Sequence, residues 1–201
     1  MLQLVFLLII IIIYFKYLYT ENFILNNNSA IVHQIWFQGY HHIPYKLKKN
    51  AIYNKNFLEN WNYMLWDEKK IINLLKHNQK WYDNYNSYKH MHQKIDFAKY
   101  VILYYYGGIY VDMDAKIIKN PNILIRKYLK KEIFLSYIFG NQIEHYLSVG
   151  VKKIINNGII FVKNPKNKIM KEFINLTLKQ KWKSYLNFKL LEIQNSTGPK
   201  A

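Results

Sequence analysis

The stretch Ile95–Tyr106 leaves this chain few ways to fold. Ile95, Phe97, Ala98, Val101, Ile102, Leu103 and Tyr105 cover nearly every face of a 3.6-residue period. A helix of that kind is buried all round rather than laid on a surface. Gly107-Gly108 ends it, and Ile109–Asp112 follows as a short strand. Further β-prone runs are Ala30–Phe37, closed by Gly39, then Tyr63–Trp66, Ile133–Phe139 and Gly158–Val162. Helical spacing marks Leu47–Leu58 and Asp67–Lys76, with Asp67 as a starting cap, and a last helix from Pro165, as a first-turn residue, to about Lys179. Strands alternating with helices predict an α/β sandwich, a mixed sheet flanked by helices.

A chain of 201 residues with 51% hydrophobic and 17% aromatic residues has apolar surface for one real core, which excludes disorder over most of its length. Having no cysteine, it offers no disulfide, thiolate zinc site or cysteine nucleophile. The net charge of +17 attracts polyanions in general. Arg126, however, is the single arginine among lysines, and arginine is the preferred bidentate reader of guanine and phosphate, so we expect no specific nucleic-acid partner.

From Leu4 to Phe15 every residue is apolar or aromatic, and the flanking Leu2 and Lys16–Tyr19 bring the run to about 18 to 20 residues, a bilayer's width as helix. Lys16, Tyr14, Tyr17 and Tyr19 suit the headgroup region. Without a basic leader or a small-residue cleavage site, the reading is one transmembrane anchor over 1–20, a polar Asn-rich linker over 21–29, and one domain over 30–201. The basic chain after Lys16 pulls the domain toward the cytosol, whereas sequons at Asn27, Asn175 and Asn195 suit a lumen, so the two signals oppose each other.

The chemistry concentrates in Tyr110-Val111-Asp112-Met113-Asp114. In an extended chain Asp112 and Asp114 project to one face, their Cα atoms roughly 6.5 to 7 Å apart. Two carboxylates so placed can bracket Mg²⁺ or Mn²⁺, which complete their shells with water and substrate phosphates. The pair follows a buried strand, at the end where open α/β sheets bind ligands. Asp-x-Asp alone also suits an ordinary solvated turn. Here the pair follows a double glycine and an apolar helix, in a chain with only 12 acids.

The run His92–Asp114, helix, Gly-Gly turn and Tyr-x-Asp-x-Asp, followed by Lys119-Asn120-Pro121, resembles the signature of the DXD-containing glycosyltransferases of the sugar-binding-region family, glycosyltransferase family 32-like. That family includes initiating α-1,6-mannosyltransferases, capsular polysaccharide transferases and the catalytic domains of clostridial glucosylating toxins. Ile31–Gly39, Asn60–Asp67 and Ser196–Pro199 resemble its opening strand, second strand and late Thr-Gly-Pro element.

The resemblance implies a GT-A-like nucleotide-sugar-binding fold and a UDP- or GDP-sugar donor. It also implies Mn²⁺ or Mg²⁺, and transfer of a hexose or N-acetylhexosamine, with retention, to a glycan, lipid or protein hydroxyl. It implies that Trp36 stacks on the donor base, Asp96 contacts ribose or sugar hydroxyls, and Tyr110 lines the diphosphate. Asp112 would reach ribose and, through water, the metal, which Asp114 would ligate directly. By the same resemblance the domain belongs to a single-pass membrane protein of the secretory pathway.

Two departures from the family stand out. Lys99 replaces a common arginine one turn after Asp96, keeping charge but losing the bidentate fork, so donor binding is expected to be weaker. The chain also ends directly after Thr-Gly-Pro, where relatives continue into a segment that folds over the donor. Both motivate the alternative of a catalytically weak, membrane-tethered basic protein that binds polyanions. A zinc site from His90 and His92 with His33, His41 or His42 is disfavoured, because residues two apart on a helix face away from each other.

Overall fold

The structure is a computed structural model that describes residues 11–12, 30–128, 131–137 and 155–179. Among these, no helix is long and apolar enough to cross a membrane. The anchor expected over 1–20 lies outside the described residues apart from Ile11 and Ile12, as does the Thr-Gly-Pro element.

Strand β1 (Ile31–Ile35) leads through a short 3-10 turn into helix α1 (Tyr45–Phe57). Strand β2 (Asn62–Trp66) is followed by helices α2 (Glu68–Leu75), α3 (Gln79–Ser87) and α4 (Met91–Tyr106). Strand β3 (Gly108–Val111), helix α5 (Asn122–Lys127), strands β4 (Ile133–Tyr137) and β5 (Ile155–Val162) and helix α6 (Lys168–Lys179) complete the described elements. The sheet order is β2-β1-β3-β5-β4. β1 pairs in parallel with β2 and β3, while β5 runs antiparallel to both β3 and β4, so the sheet is mixed.

Strand alternation divides the core in two. Ile35, Tyr110, Ile160 and Val162 point to the face packed by α4, with Trp66, Phe97 and Val101. Val32, Ile109, Val111 and Phe161 point to the other, with Leu58, Trp61, Ile117 and Ile125. Covered on both faces, the central strands β1 and β3 are buried at every position. This double cover suits the apolar residues of both strands, and the two polar residues it buries in β1, His33 and Gln34, are hydrogen-bonded.

Helix α4 is buried from Asp96 through Leu103, and it begins four residues earlier than the apolar run suggests. Gln93 Oε1 accepts a hydrogen bond from the His90 N–H (3.1 Å) and so closes its first turn. Asp67 caps α2 as expected, its Oδ1 accepting from the Lys70 N–H at 2.8 Å. The last helix departs from expectation. Lys166 has φ 58°, which a helix cannot hold, so Pro165 lies in the preceding turn. Asn167 Oδ1 instead receives the N–H groups of Ile169 (2.9 Å) and Met170 (3.2 Å), starting α6 at Lys168. Helices α3 and α5 were not foreseen; α3 is mostly polar and buries only Trp81 and Tyr85.

Candidate active site

β1 and β3 end side by side, Val32 opposite Ile109 and His33 opposite Tyr110. Just beyond their carboxyl ends opens a cleft of about 570 Å³, a volume suited to a small-molecule ligand. Trp36 enters from the end of β1, Asp96 and Lys99 from α4, and Tyr110, Asp112 and Asp114 from the end of β3 and its turn. All six residues singled out from the sequence thus line one space. Asn157, from β5, joins them.

The geometry around the Asp-x-Asp differs from the extended chain expected. β3 stops at Val111, and the Ala115 N–H turns back to the Asp112 carbonyl (3.1 Å). Met113 is consequently driven inward against Ile43 and Ala51. Asp112 therefore opens a turn in which Asp114 is a central residue, Asp112 half-buried and Asp114 exposed.

Lys99 lies beneath the cleft, almost fully buried. Its Nζ is 3.0 Å from Asp96 Oδ1 and 3.5 Å from Asp112 Oδ1, donates to the Asn157 carbonyl (3.3 Å), and lies 4.7 Å from the centre of the Tyr110 ring. Burial opposes its charge, but Tyr110, Asp96 and Asp112 together outweigh burial, and its pKa is raised. Burial likewise pushes the Tyr110 phenol well above its ordinary value, so it stays a donor and gives its proton to Asp112 Oδ1 at 2.7 Å. The Asn157 amide donates to Asp96 Oδ1 (3.0 Å).

Three side chains that the sequence did not single out hold the backbone here. The Gln34 amide donates to the Asp112 carbonyl (3.3 Å) and accepts from the Tyr63 hydroxyl (2.8 Å). Asn50 and Asn54, one turn apart on α1, reach the loop from the other side. The Asn50 amide donates to the carbonyls of Met113 (3.4 Å) and Asp114 (3.3 Å). Asn54, fully buried, donates to the Ala115 carbonyl (3.0 Å) and accepts from the Ile117 N–H (2.9 Å). Their i, i+4 spacing was the available signal.

Trp36 packs beside Met113, and its buried indole Nε1 meets no hydrogen-bond partner among the described residues. His33 is a core residue. It accepts from Trp66 Nε1 at Nδ1 (3.1 Å) and faces the Gly107 carbonyl through Nε2 (3.0 Å), which fixes the tautomer protonated at Nε2. Burial lowers its pKa to about 4. Among the described residues, no group of three or more histidine and carboxylate side chains is arranged to hold a metal.

The charge of the cleft opposes that of the chain. The three carboxylates of Asp96, Asp112 and Asp114 against the one ammonium of Lys99 give it a formal charge of −2, in a protein of net charge +17. An acidic cleft repels phosphates unless a cation enters with them. Two carboxylates at its mouth are the hard-oxygen donor set that Mg²⁺ or Mn²⁺ takes when water and substrate supply the rest, so these residues fit such an ion.

A mixed sheet with an acidic cleft at the carboxyl ends of two parallel strands defines a ligand-binding α/β domain. Residues 46–130, which carry α1, α4 and the Asp-x-Asp turn, match the family model described as glycosyltransferase sugar-binding region containing DXD motif. The chain is 40% identical over 121 residues to the uncharacterized glycosyltransferase L373 of Acanthamoeba polyphaga mimivirus, covering 55% of this chain and 47% of that relative. It is 34% identical over 101 residues to inositol phosphoceramide mannosyltransferase 1 of Schizosaccharomyces pombe, covering 48% and 31%. The chain thus spans less than half the length of these curated relatives. Among solved structures, PaToxG Glycosyltransferase shares the fold, with a TM-score of 0.53 at 19% identity, covering 92% of this chain and 76% of that one.

Proposed function

We propose that the chain is a metal-dependent retaining glycosyltransferase. It moves a hexose or N-acetylhexosamine from a UDP- or GDP-sugar to a hydroxyl of a glycan, lipid or protein. The observation that carries this reading is the cleft of net charge −2 in a chain of +17. The basic surface gathers an anionic donor, and the acidic cleft admits its diphosphate only beside a cation.

Asp114, exposed at the mouth, would hold the ion directly, and Asp112 would assist through water. When bound, Mn²⁺ or Mg²⁺ supplies neutralisation of the charge that develops on the departing nucleoside diphosphate. Lys99 and Tyr110 fix the Asp112 carboxylate from below. Trp36 stacks on the base and Asp96 receives ribose or sugar hydroxyls. Retention follows when the acceptor hydroxyl attacks the face that the diphosphate leaves, its proton passing to the departing phosphate oxygen.

We place the domain at a membrane of the secretory pathway, anchored by residues 1–20. The sequons suit its lumenal side, although Asn175 lies within α6 and its partner Thr177 is buried there, and the basic chain after Lys16 suits the cytosolic side.

The test is donor binding and hydrolysis across UDP- and GDP-sugars, with and without Mn²⁺. One donor hydrolysed only with metal is expected. Asp114→Ala should lower that turnover by about 10²-fold or more, the loss typical of one charge-stabilising group. Parental turnover in this variant would remove Asp114 as the ligand, and no donor bound at all would overturn the transferase reading.

A further inference from the structure

Helix α1 wears its apolar side chains on the outside. Tyr45, Ile52, Tyr53 and Phe57 are 73%, 46%, 38% and 37% exposed, whereas Ala51 and Asn54 face inward at 4% and 0%. This inverts the usual arrangement, in which the large apolar residues of a surface helix point to the core. Lysines stand among the exposed rings: Lys49 Nζ lies 4.5 Å from the Tyr45 ring centre, and Lys48 Nζ 4.2 Å from that of the exposed Tyr40. Tyr53 and Phe57 stack at 5.6 Å, with Lys116 Nζ 5.3 Å from the Tyr53 ring. Tyr45–Phe57 contains four lysines and no acidic residue.

We propose that this outer face of α1 docks on an anionic lipid bilayer. A contiguous exposed apolar patch marks an interaction surface. Its charge decides the partner, because rings flanked by lysines match the bilayer interface, where rings enter the headgroup region and ammonium groups meet anionic lipid. A buried protein interface disfavours lysine instead. The inner face of the same helix holds the Asp-x-Asp turn through Asn50 and Asn54, and Leu47 lines the cleft. Docking therefore brings the cleft to the lipid surface, from which an acceptor would be drawn. That last consequence rests on the transferase reading; the docking does not.

The absence of cysteine permits a local test in the full chain. Asn56→Cys on the exposed face of α1 and, as control, Glu172→Cys on α6 across the sheet are each labelled with an environment-sensitive fluorophore. They are then mixed with phosphatidylcholine vesicles with and without about one-third phosphatidylserine. We expect a blue shift at position 56 alone and only with phosphatidylserine, lost over the same lipid range when Lys46, Lys49 and Lys55 are replaced by glutamate. This local signal separates α1 from the apolar N-terminal segment. The proposal is overturned if position 56 does not respond, if position 172 responds equally, or if charge reversal leaves the shift intact. It is equally overturned if position 56 is already shielded without lipid, by another part of the chain or, when shielding rises with protein concentration, by a second copy. None of these readouts involves sugar transfer, so a failed docking and a failed transferase reading remain distinguishable.

Discussion

The Lys99 ammonium lies 3.0 Å from the Asp96 carboxylate one turn earlier on the same helix, with 3% and 13% of their side chains exposed. Lys99→Met should leave Asp96 and Asp112 facing each other without a counter-charge. Removing one partner of a buried pair costs about 3–5 kcal/mol, and urea denaturation should show a loss of that order. A loss below about 1 kcal/mol would mean that the ammonium does not compensate these acids.

Asn54 is tied to the loop by a donor and an acceptor at once. Asn54→Ala leaves the Ile117 N–H and the Ala115 carbonyl without their side-chain partner in a buried place, at about 1–3 kcal/mol. The variant should also lose donor affinity, because the Asp-x-Asp turn is no longer held. Asn56→Ala on the exposed side of the same helix is the control. Equal donor affinity in the two variants would show that the clasp does not position the turn.

His33 makes stability depend on pH with a definite sign. Its pKa falls from 6.5 to about 4 on folding, so the unfolded chain binds the proton more tightly. The stabilisation is fully present above about pH 6.5 and is lost as pH falls toward 4, amounting to about 3 kcal/mol over that window. Urea midpoints between pH 7 and 4.5 should follow this slope in the parent and follow it less steeply in His33→Gln.

Two glycines with similar φ should respond differently to alanine. Gly39 has φ +82° with nothing within 4 Å of an added Cβ, so Gly39→Ala carries backbone strain alone, about 1–3 kcal/mol. Gly108 has φ +86°, and a Cβ there would collide with the Ile31 carbonyl oxygen of the neighbouring strand. Gly108→Ala should therefore lower the melting temperature well beyond Gly39→Ala, or prevent folding. Equal shifts would show that β1 and β3 can separate freely.

What could be read from the sequence was local. The buried helix, its Gly-Gly end and the following strand are consecutive, and their pattern reports a layered sheet without knowledge of partners. The Asp67 cap was legible for the same reason. Pro165 misled because helix preference at a first turn says nothing of the positive φ at Lys166 beside it. Asn157 and Gln34 stayed hidden because each acts on a segment 58 to 78 residues away, and nothing in their own neighbourhood records it. Lys99 was legible as a charge near the donor, but not as the buried link between Asp96 and Asp112.

The Asp112 N–H donates to the Gly158 carbonyl at 2.8 Å, and the neighbouring Asn157 supports both Asp96 and Lys99. During synthesis the Asp-x-Asp turn leaves the ribosome more than forty residues ahead of these partners. A nascent chain can pair β3 with β1 but cannot assemble the cleft. The site therefore matures late, when β5 arrives to close the sheet beside β3.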